Sequence, residues 1–178
     1  MTINAKFMAL TEDATDEEIR ETFAHAVLEN KGYQNPEEAV KKWFASVEPK
    51  ILNAVTKCGR TVLRTAASAT VAEAMHSIMQ KEVRQRFDKR PDIVEPDLIE
   101  SWETLKKQCE GELAEIAQET QSIHEKYHKA LLTAINMVHV LYNIHLASSI
   151  VPGETSKEEL DAMFEVLRRQ PNEGGGDE

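Results

Sequence analysis

The sequence predicts an all-α protein, with a short helical hairpin as a head, a long antiparallel helical hairpin or coiled coil, a short C-terminal helix and a disordered tail. Helix-forming residues dominate the 178-residue chain, whereas aromatic residues make up 6% and glycines number seven, which is low for a β-rich fold. Hydrophobic residues at 41% and charged residues at 29% suit a chain that buries a core. Prolines then divide the chain into its predicted elements.

The head is predicted to contain two short helices with clear boundaries. Thr15 and Glu18 have the spacing of a capping box, which predicts the start of the first helix. Gly32 is expected to end it in a left-handed conformation. Asn35 and Pro36 are typical of the N-cap and the first position of a second helix.

A long third helix is predicted to follow Pro49, where the missing backbone donor makes the chain kink or restart. It should run to about Phe87, because only Gly59 interrupts its helix-forming residues. Residues 90–96 carry two prolines, which forbid a continuous helix. The apolar residues expected on the inward face are Ile51, Val55, Cys58, Val62, Ala66, Ala69, Met75, Met79, Val83 and Phe87.

The longest helix is predicted to begin near Pro96 and to end before Pro152. Ten of its positions alternate steps of three and four residues, which is typical of a coiled-coil seam. They are Leu113, Ile116, Thr120, Ile123, Tyr127, Ala130, Ala134, Met137, Leu141 and Ile144. An upstream set with the same steps joins them through one extra step of four, a stutter in the repeat. That set is Leu98, Trp102, Leu105 and Cys109.

This seam is the predicted partner-binding surface. A third helix of about 38 residues, paired antiparallel with a fourth of about 53, leaves the C-terminal end of the seam uncovered. The head helices are short, so we expect a partner protein or a second copy of the chain to bind there. The expected binding residues are Leu113, Ile116, Ile123, Tyr127, Met137, Leu141 and Ile144.

These boundaries predict four segments along the chain. Residues 1–48 form the helical head, and residues 49–151 form the long hairpin with its break at 90–96. Residues 152–170 form the short C-terminal helix, and the glycine-rich residues 171–178 are expected to be disordered.

The charge distribution argues against nucleic acid as a partner. The net charge is −10, and a protein that binds a polyanion uses basic side chains to release counterions. Residues 41–95 nevertheless hold eleven basic and six acidic side chains. A solvated helix end explains the densest basic run, and an electrostatic docking site is the alternative. That run is Lys81, Arg84, Arg86, Lys89 and Arg90.

One string has the pattern of a zinc-protease motif, HExxH, at His124 to His128. The pattern places two imidazoles on one helical face beside a glutamate. The charged Lys126 lies in the middle of the string, the extended motif with a glycine and a third histidine is missing, and no sheet is predicted to bind substrate. We therefore expect no metal, no cofactor and no enzymatic activity, with a zinc peptidase as a remote alternative.

An uncharged stretch of 22 residues, 130–151, is long enough to cross a membrane. A polar stripe along it favours burial within protein instead. The stripe consists of Asn136, His139 and Asn143. Cys58 and Cys109 lie in apolar helical patterns, and we recognise no signal peptide. We expect two buried free thiols and an intracellular protein, cytoplasmic or nuclear, that contacts no membrane.

The segment KEVRQRFDKRPDIVEPDLIESWETLKK, residues 81–107, joins a charged helix end, an apolar break and a renewed helix. This order resembles the small coiled-coil subunits of the MIND complex, the four-protein kinetochore linker. The resemblance is architectural and carries over no functional residue. It implies a helical head and a rod shared with sister subunits, hence a non-enzymatic assembly subunit. The alternative is a self-contained helical bundle that binds a ligand, a metal or nucleic acid.

Overall fold

The computed structural model describes residues 5–10, 13–150, 156–158 and 161 of the chain. These residues form five α-helices and no β-strand, which confirms the predicted all-α class. The helices are α1 (Ala5–Met8), α2 (Asp16–Asn30), α3 (Pro36–Ser46), α4 (Pro49–Phe87) and α5 (Pro96–Ser148). The predicted tail, 171–178, and most of the predicted C-terminal helix lie outside the described residues.

Hydrogen bonds at both ends of α2 explain its length. Thr15 Oγ1 accepts from the Glu18 amide at 3.2 Å, and the Glu18 carboxylate accepts from the Thr15 amide at 2.9 Å, which confirms the capping box. Thr15 Oγ1 also donates to the Glu18 carboxylate at 2.9 Å, and the backbone and side-chain bonds from Thr15 to this carboxylate hold the pKa of Glu18 below its usual value. Gly32 follows the helix at φ 83°, and the Tyr33 amide donates to the Leu28 carbonyl at 3.1 Å.

Prolines begin the other three long elements. Pro36 opens α3 and Asn35 is its N-cap residue, as predicted, but Asn35 at φ −127° makes no side-chain hydrogen bond to the helix. The backbone there does not carry the amide oxygen to a first-turn N–H. Pro49 is the first residue of α4, so the chain restarts rather than kinks. Pro96 opens α5, whose 53 residues make it the longest helix described, as predicted.

The structure divides the chain into two compact units that differ from the predicted segments. Unit 1 contains residues 1–60 and 133–178, and unit 2 contains residues 61–132. Both long helices therefore contribute to both units. The short helices α1 to α3 bury their apolar faces in unit 1, where Phe7, Phe23 and Trp43 are fully inaccessible to solvent. Unit 1 therefore combines the three short helices with one end of α4 and one end of α5.

Helices α2 and α4 approach closely in unit 1 at Gly59. A β-carbon placed on Gly59 would lie 2.8 Å from Ile19 Cγ2 and 3.4 Å from Phe23 Cβ. Polar contacts continue the same interface: Arg60 Nε donates to Asp16 Oδ1 at 3.0 Å. Glycine is therefore required here for space rather than for backbone conformation.

Candidate partner-binding surfaces

One side of α4 packs inside unit 2. Val62, Ala66, Ala69 and Phe87 are buried on it. Phe87 meets Trp102 of α5 at 5.7 Å between ring centroids, in an edge-to-face arrangement. The contact between Phe87 and Trp102 shows which side of α4 faces its own hairpin partner, and all four buried residues belong to the predicted inward face.

The opposite side of α4 is also apolar, and it is exposed. Val71, Met75 and Ile78 keep 58%, 60% and 59% of their surface accessible. With the exposed Ala67 and Ala74 they form a stripe in which residues 67, 71, 74 and 78 follow steps of four, three and four. We call these five residues the α4 seam. The steps are those of a heptad repeat, which keeps the residues on one face of a helix.

The sequence prediction was wrong for Met75 and Met79, which were placed on the inward face of α4. Both are exposed. Met75 follows Ala69 by six residues, which is about 240° around a helix with 3.6 residues per turn. The two residues therefore lie on different sides of α4, and apolar character alone did not reveal this.

In unit 2, the predicted partner-binding residues of α5 are partly covered by the chain itself. Leu113, Ile116, Ile123 and Tyr127 are each half-buried. Leu113 lines a cavity of about 150 Å³ together with α4 residues that include Phe87. Burial raises the pKa of the Tyr127 hydroxyl. These four side chains therefore take part in packing within the hairpin of the chain itself.

The upstream part of the predicted seam needs correction. Leu98 and Leu105 are exposed. Ile99 and Lys106 are half-buried in their place, and the ammonium of Lys106 lies 5.7 Å from the centroid of the Trp102 ring. The half-buried positions 99, 102, 106, 109 and 113 alternate steps of three and four into the downstream seam, so no stutter is needed to connect them.

In unit 1, α5 turns a different face inward from the one predicted. Ile135, Val138 and Tyr142 are buried. The predicted residues Met137 and Ile144 are 41% and 56% exposed, while Leu141 is half-buried. A seven-residue repeat drifts by about 20° per heptad around a helix with 3.6 residues per turn. The predicted seam has therefore rotated out of the core at this end.

This rotation leaves a second exposed apolar stripe. Val140, 51% exposed, lies between Met137 and Ile144 on the side of α5 opposite the buried residues. Thr133 and Ala147 are also exposed and extend the steps to four, three, four and three. We call these five residues the α5 seam. It contains two of the residues predicted to bind a partner.

Aromatic side chains cover the buried side of α5 in unit 1. Trp43 and Tyr33 contact Tyr142 at ring-centroid distances of 5.3 and 5.2 Å, both edge-to-face. The Tyr33 hydroxyl donates to Asn143 Oδ1 at 3.4 Å. Burial lowers the pKa of His139, which lies 6.4 Å from the Tyr33 ring. The short head segments thus reach α5, contrary to the expectation that they would leave this end of it bare.

The HExxH string lies on the surface of α5. His124 is half-buried, with Nε2 3.9 Å from the Glu73 carboxylate, and His128 is exposed. Glu125 accepts from Gln121 Nε2 at 3.1 Å. Among the described residues, no group of three or more histidine, cysteine, aspartate or glutamate side chains could hold a metal ion.

The basic run lies at the C-terminal end of α4. Arg84 and Arg86 occupy the last turn of the helix, and Lys89 and Arg90 follow it. All of them, with Lys81, are exposed. Cations are stabilised at this end by the helix dipole, and they remain accessible to a partner.

The cysteines and the uncharged stretch agree with expectation only in part. Cys58 is buried and Cys109 is half-buried, and both are free thiols. Burial raises the pKa of the Cys58 thiol. One window of 18 residues in α5 is apolar enough to cross a membrane, and 33% of it is buried. Core helices of soluble proteins meet the same criterion.

Comparisons of the chain with protein families, with curated proteins and with solved structures found no match. The two seams and the charges beside them are therefore the features that indicate a function.

Proposed function

We propose that this protein is a non-enzymatic helical assembly subunit, which associates with other protein chains through exposed apolar seams on its two long helices. One observation supports this proposal above the others. Each long helix carries a second apolar stripe with heptad spacing on the side turned away from its own packing. Single exposed apolar residues are normal, but aligned ones are typical of interaction sites.

The energetics favour association at these stripes. Complete burial of a valine, isoleucine or methionine side chain stabilises a complex by about 1.5–3 kcal/mol. Val71, Met75 and Ile78 on α4, and Val140 and Ile144 on α5, each keep about half of their surface in water. Association that covers either stripe therefore gains several kcal/mol of free energy from burial of apolar surface. The entropy lost on binding opposes this gain.

The resemblance to small MIND subunits makes a kinetochore complex the first setting in which to test this role. In that setting the protein is intracellular, and the partners are the helical rods of sister subunits. Unit 2 supports this choice, because its part of α4 has an apolar outer side.

Sedimentation velocity on the full chain tests the proposal. We expect self-association at high micromolar concentration through the α5 seam, and Val140→Glu with Ile144→Glu should return the chain to a monomer. Val94→Glu is the matched control, because Val94 is 90% exposed and lies outside both seams. Circular dichroism should show unchanged helicity in every variant.

Two results would contradict the proposal. The first is a wild-type chain that remains monomeric throughout this concentration range and binds no helical peptide. The second is co-sedimentation with neutral phospholipid vesicles that the α5 variants abolish, because that outcome assigns the apolar stripe of α5 to a membrane.

A further inference from the structure

The α4 seam ends in a basic residue on each side. Arg64 lies three residues before Ala67, and Lys81 lies three residues after Ile78, so both occupy the next positions of the same heptad pattern. Both are exposed. Glu73 does not offset them, because its carboxylate lies 3.9 Å from His124 on the hairpin side. Glu82, four residues after Ile78, is also exposed on this face, but the exposed Arg86, eleven residues after Met75, offsets it. The stripe is therefore apolar in its middle layers and net positive in its two outer layers.

We infer that the α4 seam binds an amphipathic helix of a different protein, apolar in its middle and acidic at both ends. This inference rests on the proposed function and names the class of partner. Arg64 and Lys81 are 17 residues apart, so the acidic groups of the partner should lie about 25 Å apart along its axis. Charge complementarity of this kind selects partners and speeds association.

The sizes of the seam residues indicate how the partner packs. Ala67 and Ala74 alternate with Val71 and Ile78. Small residues allow a neighbouring helix to approach, and the larger ones fill the spaces beside it. The partner should therefore place large apolar residues opposite the alanines and small ones opposite Val71 and Ile78.

A second copy of the chain does not fit the α4 seam. Its heptad layers are symmetric, so an antiparallel pair that matches Ala67 with Ile78 places Arg64 of each copy against Lys81 of the other. A parallel pair places each basic residue against itself. Glu82 offsets part of this repulsion, but the outer layers remain net positive, which opposes either arrangement. An acidic partner replaces these repulsions with attractions.

The basic run predicts the orientation of the partner helix on α4. Beyond Lys81, the exposed residues Arg84, Arg86, Lys89 and Arg90 extend the positive region past the end of α4. Only Glu82 and Asp88 are acidic within this stretch. The more acidic end of the partner helix should therefore meet the C-terminal end of α4.

Fluorescence anisotropy with three synthetic helical peptides of equal length tests the inference on the full chain. The acidic peptide carries alternating leucine and alanine at the seam positions and glutamates at the outer layers. A second peptide has lysines at the outer layers, and a third has serines at the seam positions. We expect the acidic peptide to bind at least tenfold more tightly than either of the others at low salt.

Variants of the chain complete the test. Val71→Glu with Ile78→Glu should abolish binding of the acidic peptide, whereas Val94→Glu should leave it unchanged. Arg64→Glu with Lys81→Glu should weaken binding of the acidic peptide about tenfold. The same charge-reversed chain should bind the lysine-ended peptide, a gain that mere damage to the fold cannot produce.

Three outcomes overturn the inference: equal binding of the acidic and lysine-ended peptides, no binding of the acidic peptide, or loss of self-association when Val71 and Ile78 are replaced. The last would assign the seam to a second copy. Self-association through the α5 seam is measured separately by sedimentation. A failed peptide test therefore leaves the proposed function standing if that association is found, and the two failures are distinguishable.

Discussion

Replacement of Gly59 by alanine tests the close approach of α2 and α4, and Gly111 supplies a matched control in α5. Both glycines lie inside long helices. At Gly59 a β-carbon would lie 2.8 Å from Ile19 Cγ2, whereas at Gly111 no atom outside the local helix lies within 4 Å. The two substitutions are chemically identical and differ only in the space available.

The magnitudes follow from this difference. Alanine improves helix propensity by about 0.8–1 kcal/mol at either position. At Gly111 the whole gain should appear as added stability. At Gly59 the methyl group must displace the branched side chain of Ile19, and overpacking of this kind costs about 1–3 kcal/mol. The net effect at Gly59 is therefore between neutral and about 2 kcal/mol destabilising.

Chemical denaturation and thermal melting of both variants, monitored by circular dichroism, provide the measurement. A separation of about 1–3 kcal/mol between the variants corresponds to roughly 2–12 °C in melting temperature for a chain of this size. Equal stabilisation by the two substitutions would refute the close contact between α2 and α4, and with it the packing of the head in unit 1.

Three further predictions concern the two long helices. The free energy of unfolding should fall as the pH drops below about 6.5, because burial lowers the pKa of His139 in the folded chain and the unfolded chain therefore binds the proton first. The fall should level off below the folded-state pKa of His139. His139→Gln should reduce this dependence in melts at several pH values. Ile135→Ala should cost about 2–5 kcal/mol in denaturant titrations, whereas Ile144→Ala, at 56% exposure, should change the stability of the dilute monomer by less than about 1 kcal/mol. Similar costs would contradict the assigned inward face of α5. Replacement of His124 and His128 by alanine should leave melting temperature and partner binding unchanged, and a tightly held zinc ion lost on that replacement would contradict the non-enzymatic role.

Most helix boundaries could be predicted from the sequence because they depend on local chemistry. Prolines remove backbone donors wherever they occur, so the starts of α4 and α5 follow from Pro49 and Pro96. The capping box at Thr15 and the left-handed Gly32 need only neighbouring residues. Asn35 occupies the N-cap position of α3 as its residue type indicates, but a hydrogen bond from its side chain depends on backbone angles that residue type alone does not determine.

The faces of the helices were decided by tertiary packing. A heptad pattern states which residues share a stripe, but it does not state which of two apolar stripes meets the rest of the chain. Met75 on α4 and Ile144 on α5 were assigned to seams by spacing, and both proved to be exposed. A helix with 3.6 residues per turn gradually rotates a seven-residue repeat away from the core.

The same limit applies to the candidate site. The basic run and the apolar character of both helices are visible in the sequence, whereas the alignment of Arg64 and Lys81 with an exposed stripe is not. That alignment has meaning only once Val62 and Phe87 are seen to be buried on the other side of α4. Burial depends on contacts between residues far apart in the chain, so the sequence determined the helices and their chemistry, and only the folded structure decided which side remained free for a partner.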